Sequence, residues 1–327
     1  MDPKELKKML GDRWQRVESY INDSLATDIV LLQNINGRIL SHGGKQLRPL
    51  ISMLVAMACS DGRAVDDSCR YAAAAELLHN ATLLHDDVAD NSDQRRGSPT
   101  IRSLMGPSVS VLVGDYWLVK AMSLILSASN HGDRVIHIFS KTLSDLAEGE
   151  MLQLQKADTG DTGIDDYIRI IYNKTASLFV SASLSAAISV NATPQMEEAV
   201  VEFSTALGLA FQIRDDIFDY SLDPEVGKPV GVDILEQKIT LPLLGALESV
   251  SAEKAAGIRR LVSSIHENPG NRDVIIDFVK AQDGVAYAEK RLGEYIEKAV
   301  SALDVLPDSC YRRQLAEVAR YVGARSK

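Results

Sequence analysis

The chain has 327 residues, 46% hydrophobic and 24% charged, a balance that supplies a large buried core and excludes a disordered or fibrous polymer. Its net charge of -10 disfavours nucleic acid or an anionic membrane surface as the main partner, yet leaves room for an anionic substrate held by local cations. Three scattered cysteines, Cys59, Cys69 and Cys310, lack metal-ligand spacing and read as reduced thiols.

From the N-terminus, Met1-Asp2-Pro3-Lys4-Glu5-Leu6-Lys7-Lys8 lacks the apolar core of a signal peptide, so a cytoplasmic protein is expected. Next comes Gly43-Gly44-Lys45-Gln46-Leu47-Arg48-Pro49, where two glycines precede two cations three residues apart. If a helix begins here, Lys45 and Arg48 share a face near its N-terminus, a favourable place for phosphate oxygens. A solvated basic turn is the competing reading.

Helical periodicity then runs through residues 51–60, 70–90, 109–127, 136–155, 167–190 and 197–220, with three or four shorter helices after Gln237. No alternating run bounded by tight-turn residues argues for a sheet. The most membrane-like stretch, residues 109–128, is interrupted by Asp115 and Lys120 and reads as a buried helix, so no transmembrane segment is expected. Turn chemistry gathers at residues 41–44, 96–99, 158–163 and 223–231, none long enough for a domain linker, so one domain over 1–327 is expected.

Two of these helices end in the same acidic pattern: Asp86-Asp87-Val88-Ala89-Asp90 and Asp215-Asp216-Ile217-Phe218-Asp219. Carboxylates at i and i+4 share a helix face, and several negative charges placed together need a compensating cation. Hard oxygen ligands suit Mg²⁺, which takes one or two protein carboxylates and completes its shell with water and phosphate oxygens. Two such clusters facing one another would cradle a diphosphate. Each run is followed by a glycine-containing basic loop, Arg95-Arg96-Gly97 in the first case, Gly227-Lys228 and then Lys238 in the second. One acidic run alone would read as a solvated helix end; two, each with a basic loop behind it, favour a metal-held polyanion. His79 lies two helical turns before Asp86, within reach of an anion near Lys45, whereas His85 orients a carboxylate or meets a partner.

The segment from Leu83 to Thr100 resembles the first aspartate-rich motif of the trans-isoprenyl diphosphate synthases, and Phe211-Gln212-x-x-Asp215-Asp216-x-x-Asp219 resembles their second. Gly43-Gly44-Lys45, Arg48-Pro49, Lys174-Thr175, Gly227-Lys228 and Lys238-x-Thr240-Leu241-Pro242 fall in the family's order. The similarity spans nearly the whole chain and is strongest to the long-chain polyprenyl synthases. Gln46, Val232, Gln237 and Ile239 depart from the family pattern, the last three in the segment after the second motif, and none of them removes an expected ligand.

The resemblance implies an all-α orthogonal helical bundle around a central apolar cavity. It implies Mg²⁺-dependent 1'-4 condensation of isopentenyl diphosphate onto an allylic diphosphate such as farnesyl diphosphate, in a homodimer. By position, Asp86, Asp87 and Asp90 would hold two Mg²⁺ ions, and Asp215, supported by Asp216 and Asp219, the third, about three in all. Arg95, Lys174, Lys228 and Lys238 would add positive charge around the leaving group, and Thr175 and Gln212 polar contacts. Lys45, Arg48, His79 and Arg96 resemble the isopentenyl diphosphate site. No side chain stands out as a general base; in the family the departing pyrophosphate takes the proton.

The product tail is expected to run back along the helix before Asp86, where Ala81 and Thr82 lie roughly 6–8 Å below the metal site at about 1.5 Å per residue. Both are small where a bulky residue would cap the tunnel. A long product is therefore expected; the resemblance implies about C40, for a quinone side chain, with transient membrane association at its release. A terpene cyclase would not need the Gly43-Gly44-Lys45 and Arg48 region, and a non-catalytic subunit would not keep both acidic runs.

Overall fold

The computed structural model describes residues 3–95, 97–221 and 230–325. Three helices precede the first expected one: α1 (Pro3–Leu10), α2 (Asp12–Ser24) and α3 (Val30–Ser41). Leu6, Leu10, Trp14, Val17 and Ile21 recur every three or four residues and are buried, which gives α1 and α2 an apolar stripe. There follow α4 (Leu47–Cys59), α5 (Asp66–Ala89), a two-residue ladder of β1 (Gln94–Arg95) with β2 (Ser98–Pro99), α6 (Ile101–Met105), α7 (Pro107–Leu126) and α8 (Gly132–Thr159). That ladder is strand the periodicity did not announce; Gly97, at φ +73°, makes its turn.

The helix expected over 167–190 is three pieces: α9 (Ile164–Ile171), a π-helical turn (Tyr172–Ala176) and α10 (Ser177–Ser189). Then come α11 (Pro194–Phe218) and α12 (Val232–Leu235). Five helices rather than three or four follow Gln237: α13 (Leu241–Glu248), α14 (Ala252–Ser263), α15 (Asn271–Ala281), α16 (Gly284–Ala302) and α17 (Cys310–Ala324). The chain is all-α, as expected.

The residues gather into two compact units: Met1–Ser140, Ser181–Val200 and Val305–Leu315 in the first, Lys141–Val180, Val201–Asp304 and Ala316–Lys327 in the second. In the first unit α5 is the central element, packed by α2, α4 and α7. Tyr71, Ala72, Ala73, Ala74, Ala75, Leu77 and Leu78 are all fully buried. A helix apolar on every side must be enclosed, and its alanines admit close neighbours. Gly114 on α7 makes one such approach, since a Cβ there would stand 2.4 Å from the His85 ring. Polar anchors fix the same unit: Trp117 Nε1 donates to Asn36 Oδ1 at 2.9 Å, and Asn36 donates to the Leu25 carbonyl at 3.1 Å, all buried.

In the second unit α13 packs on α16 and α15, and α9 runs into the π turn. Two glycines allow that turn to form where it does. A Cβ on Gly208 would stand 2.5 Å from Ala176 Cα, and one on Gly149 2.7 Å from Asn173 Cβ. The side chains of residues 172–176 are thereby brought hard against α8 and α11, where a regular helix would have aimed them differently.

Candidate active site

Both acidic runs occupy the last turn of a long helix. Asp86 and Asp87 close α5, with Asp90 as its C-cap; Asp215 and Asp216 close α11, with Asp219 one residue beyond it. A helix C-terminus already carries partial negative charge, so three carboxylates there add to an unfavourable field that cations and hydrogen-bond donors relieve. That placement fits a divalent cation, as does the all-oxygen donor set. Among the described residues no group of three or more His, Cys, Asp or Glu side chains surrounds a single metal position. The carboxylates of the two runs are the residues that would hold such an ion, with water and phosphate oxygens as further ligands.

In the first unit the three carboxylates have different surroundings. Asp87 is buried and accepts from Arg95 Nε at 2.7 Å. Burial pushes its carboxyl up, and the Arg95 charge opposes that shift. Asp86 is half-buried and Asp90 exposed. Arg95, expected on the leaving group, is thus paired with a motif carboxylate, while Arg102 pairs with Asp93 at 2.7 Å and reaches Asn91. His85 meets Asp115 of α7 at 3.1 Å.

The basic segment before α4 differs from the sequence reading in one respect. α4 starts at Leu47, with Gln46 as a left-handed N-cap at φ +54°, so Lys45 lies outside the helix and does not share a helical face with Arg48. Arg48 and His79 do come together, Nη1 to Nε2 at 3.2 Å. Ala81 is buried, and Thr82 turns its hydroxyl back to the His79 carbonyl at 2.8 Å. Arg96 and Lys228 lie outside the described residues.

In the second unit a chain of hydrogen bonds joins the π turn to α11. Thr175 Oγ1 donates to Gln212 Oε1 at 2.8 Å, Gln212 Nε2 donates to Asp216 Oδ1 at 2.8 Å, and the Tyr167 hydroxyl donates to Asp216 Oδ2 at 2.6 Å. Burial first, and the Asp233 charge second, push the Asp216 carboxyl well above the usual carboxylate range, against the two bonds it accepts. Lys174 pairs with Glu150 and donates to Gln153 at 3.0 Å. Asp219 accepts from the backbone N–H of Val232 at 2.9 Å and of Asp233 at 3.1 Å, which fastens the start of α12. Lys238 pairs with Glu236. Two of the family departures have a backbone consequence: Gln46 and Gln237 both sit at positive φ.

Sequence reasoning missed Tyr167, Glu150 and Arg325. Arg325 donates to Asp215 Oδ1 at 2.7 Å and to the Phe211 carbonyl at 3.0 Å. It is 110 residues from its partner, and no local pattern announces such a pair.

A family model described as polyprenyl synthetase matches residues 30–279. Among curated relatives, octaprenyl diphosphate synthase of Escherichia coli (strain K12) is 35% identical over 100% of both chains. All-trans-nonaprenyl-diphosphate synthase (geranyl-diphosphate specific) of Rhodobacter capsulatus is 36% identical over 93% of this chain and 92% of its own. Among solved structures, a decaprenyl diphosphate synthase from Rhodobacter capsulatus superposes with a TM-score of 0.92 at 31% identity, covering 99% of each chain. A polyprenyl synthase from Caulobacter crescentus CB15, complexed with calcium and isoprenyl diphosphate, superposes at 0.90 with 31% identity over 99% of this chain and 98% of its own.

Proposed function

Because the chain belongs to the polyprenyl synthetase family and is a prenyltransferase of the polyprenyl diphosphate synthase kind, we propose that it extends an allylic diphosphate by repeated 1'-4 addition of isopentenyl diphosphate to about C40, for a quinone side chain. The observation that carries this reading is the pair of acidic runs, each set in the negative last turn of a buried helix. The Caulobacter relative, which holds calcium and an isoprenyl diphosphate, supports the same chemistry.

On this reading Asp86 and Asp90, one helical turn apart, present oxygens to Mg²⁺ at the end of α5. Asp87 shares that run, and its bond to Arg95 holds the turn and the basic hairpin together. Asp215 is the metal-facing carboxylate of the second run, with Asp216 and Asp219 holding it in place through Tyr167, Gln212 and the start of α12. Magnesium, when bound, neutralises charge growing on the departing pyrophosphate and so assists C–O cleavage. Lys174 and Lys238 add positive charge for the same group, a role the resemblance gives to Lys228 as well. Thr175 and Gln212 present polar atoms to the allylic end, steadied by the bond of Thr175 to Gln212 and of Gln212 to Asp216. Arg48 and His79, with Lys45 and Arg96, take the diphosphate of the incoming isopentenyl unit. The growing tail follows α5 back past Thr82 and Ala81, where apolar side chains exclude water from the reacting carbon.

We further propose a homodimer of one catalytic domain per chain, with a second copy seated on α7. Leu112, Val119 and Leu126 are 68%, 61% and 64% exposed and recur every seven residues, the spacing of a helix-to-helix seam. α7 is the one described helix long and apolar enough to cross a membrane, and 39% of that window is buried within the protein.

Chelation tests the metal assignment. Stripping the purified chain with EDTA should abolish incorporation of labelled isopentenyl diphosphate, and excess Mg²⁺ should restore it. Undiminished incorporation in EDTA would contradict the assignment.

A further inference from the structure

The C-terminal end of the chain closes on the second acidic run. Arg325, one residue beyond α17, places its guanidinium between two rings of α11, 4.1 Å from the centroid of Phe211 and 5.4 Å from that of Phe218. Its side chain is 9% exposed, and it donates to Asp215 Oδ1 and to the Phe211 carbonyl. A second tie holds the same end, as Arg214 donates to the Gly323 carbonyl. The arrangement is costly in one respect: the Nε atoms of Arg214 and Arg325 are both buried without an acceptor. A cation this enclosed is held by its partner charge and the two ring faces.

We propose that Arg325 is an internal counter-cation for Asp215, holding the C-terminal end down until a divalent cation with diphosphate takes Asp215 over. The second step rests on the reading of Asp215 as a metal ligand. A divalent ion on Asp215 beside a bound guanidinium meets like charge at close range. Loading the metal and holding Arg325 therefore oppose one another, and each lowers the other's occupancy. Released, Arg325 gives up its seat between Phe211 and Phe218 and becomes accessible itself.

Trypsin reads the state of Arg325 directly, because cleavage after it removes Ser326 and Lys327, a loss visible in the intact mass. In brief digests of the full-length protein, the metal-free form should resist this cut. Mg²⁺ with inorganic pyrophosphate should speed it about tenfold, the shift expected when a mostly held state is released. Asp215→Asn should be cut at the fast rate with no metal present. Arg325→Gln should bind Mg²⁺ with pyrophosphate about tenfold more tightly in calorimetry, since the competing state is gone. Equal cutting of the metal-free wild type and Asp215→Asn would overturn the hold itself. Unchanged affinity in Arg325→Gln would overturn the competition. If the wild type gives no heat with Mg²⁺ and pyrophosphate, the metal reading fails and the release step with it, while the metal-free comparison still decides the hold.

Discussion

Asp86 and Asp87 are neighbours in sequence with different surroundings. One is half-buried at the end of α5; the other is buried against Arg95. The acidic runs were legible from the sequence because carboxylates at i and i+4 share a helix face whatever surrounds them. Which carboxylate a cation of the protein already holds was not legible. That depends on Arg95 turning back through a two-residue ladder, and on Arg325 arriving from the far end of the chain. The consequence is a difference between aspartates. Asp86→Ala and Asp215→Ala should each lower the rate of isopentenyl incorporation by roughly 10²–10³-fold, the usual loss on removing one electrostatic anchor. Steady-state kinetics on folded variants checks this, and near-normal turnover in either would remove that residue from the metal site. Asp87→Asn is expected to act through the protein's stability as well, since it unpairs a partly buried arginine.

Among the elements, α5 carries the most. Its alanine-rich middle is enclosed on all sides, its last turn carries the first acidic run, and Ala81 lies about 7.5 Å before Asp86 along the axis. Ala81→Phe should shorten the product to a few isoprene units while incorporation continues, read by mass analysis of the products. An unchanged chain length would disconnect Ala81 from the tail. The helix itself was legible from small and apolar residues without a break. The π turn in the helical stretch over residues 167–190 was not, because its cause lies in other segments. Gly149 and Gly208 stand where any side chain would collide with residues 173–176, and neither glycine is near the turn in sequence. Likewise α1 and α2 carry an apolar stripe spaced every three or four residues, yet each is short and rich in charge, so packing rather than propensity decides them.

At the scale of the whole molecule, the all-α class and the family were readable from the sequence, while the proposed homodimer rests on a surface. Leu112, Val119 and Leu126 lie on the exposed side of α7, opposite the buried Val113, Trp117 and Ala121. A double change of Leu112→Asp and Val119→Asp should convert the protein from twice to once the chain mass in sedimentation equilibrium, because two charges would be buried in the seam. A wild-type protein that sediments at the single-chain mass would remove the dimer. Relatives of this chain include octaprenyl, nonaprenyl and decaprenyl synthases, so product length is where this chain's own α5 must speak. The central measurement is therefore mass analysis of the products made from farnesyl diphosphate, labelled isopentenyl diphosphate and Mg²⁺ by the purified chain. A ladder of all-trans diphosphates ending near eight isoprene units, about C40, is the predicted result. Retained diphosphate binding without any chain extension, or a product that stops after one or two additions, would contradict it.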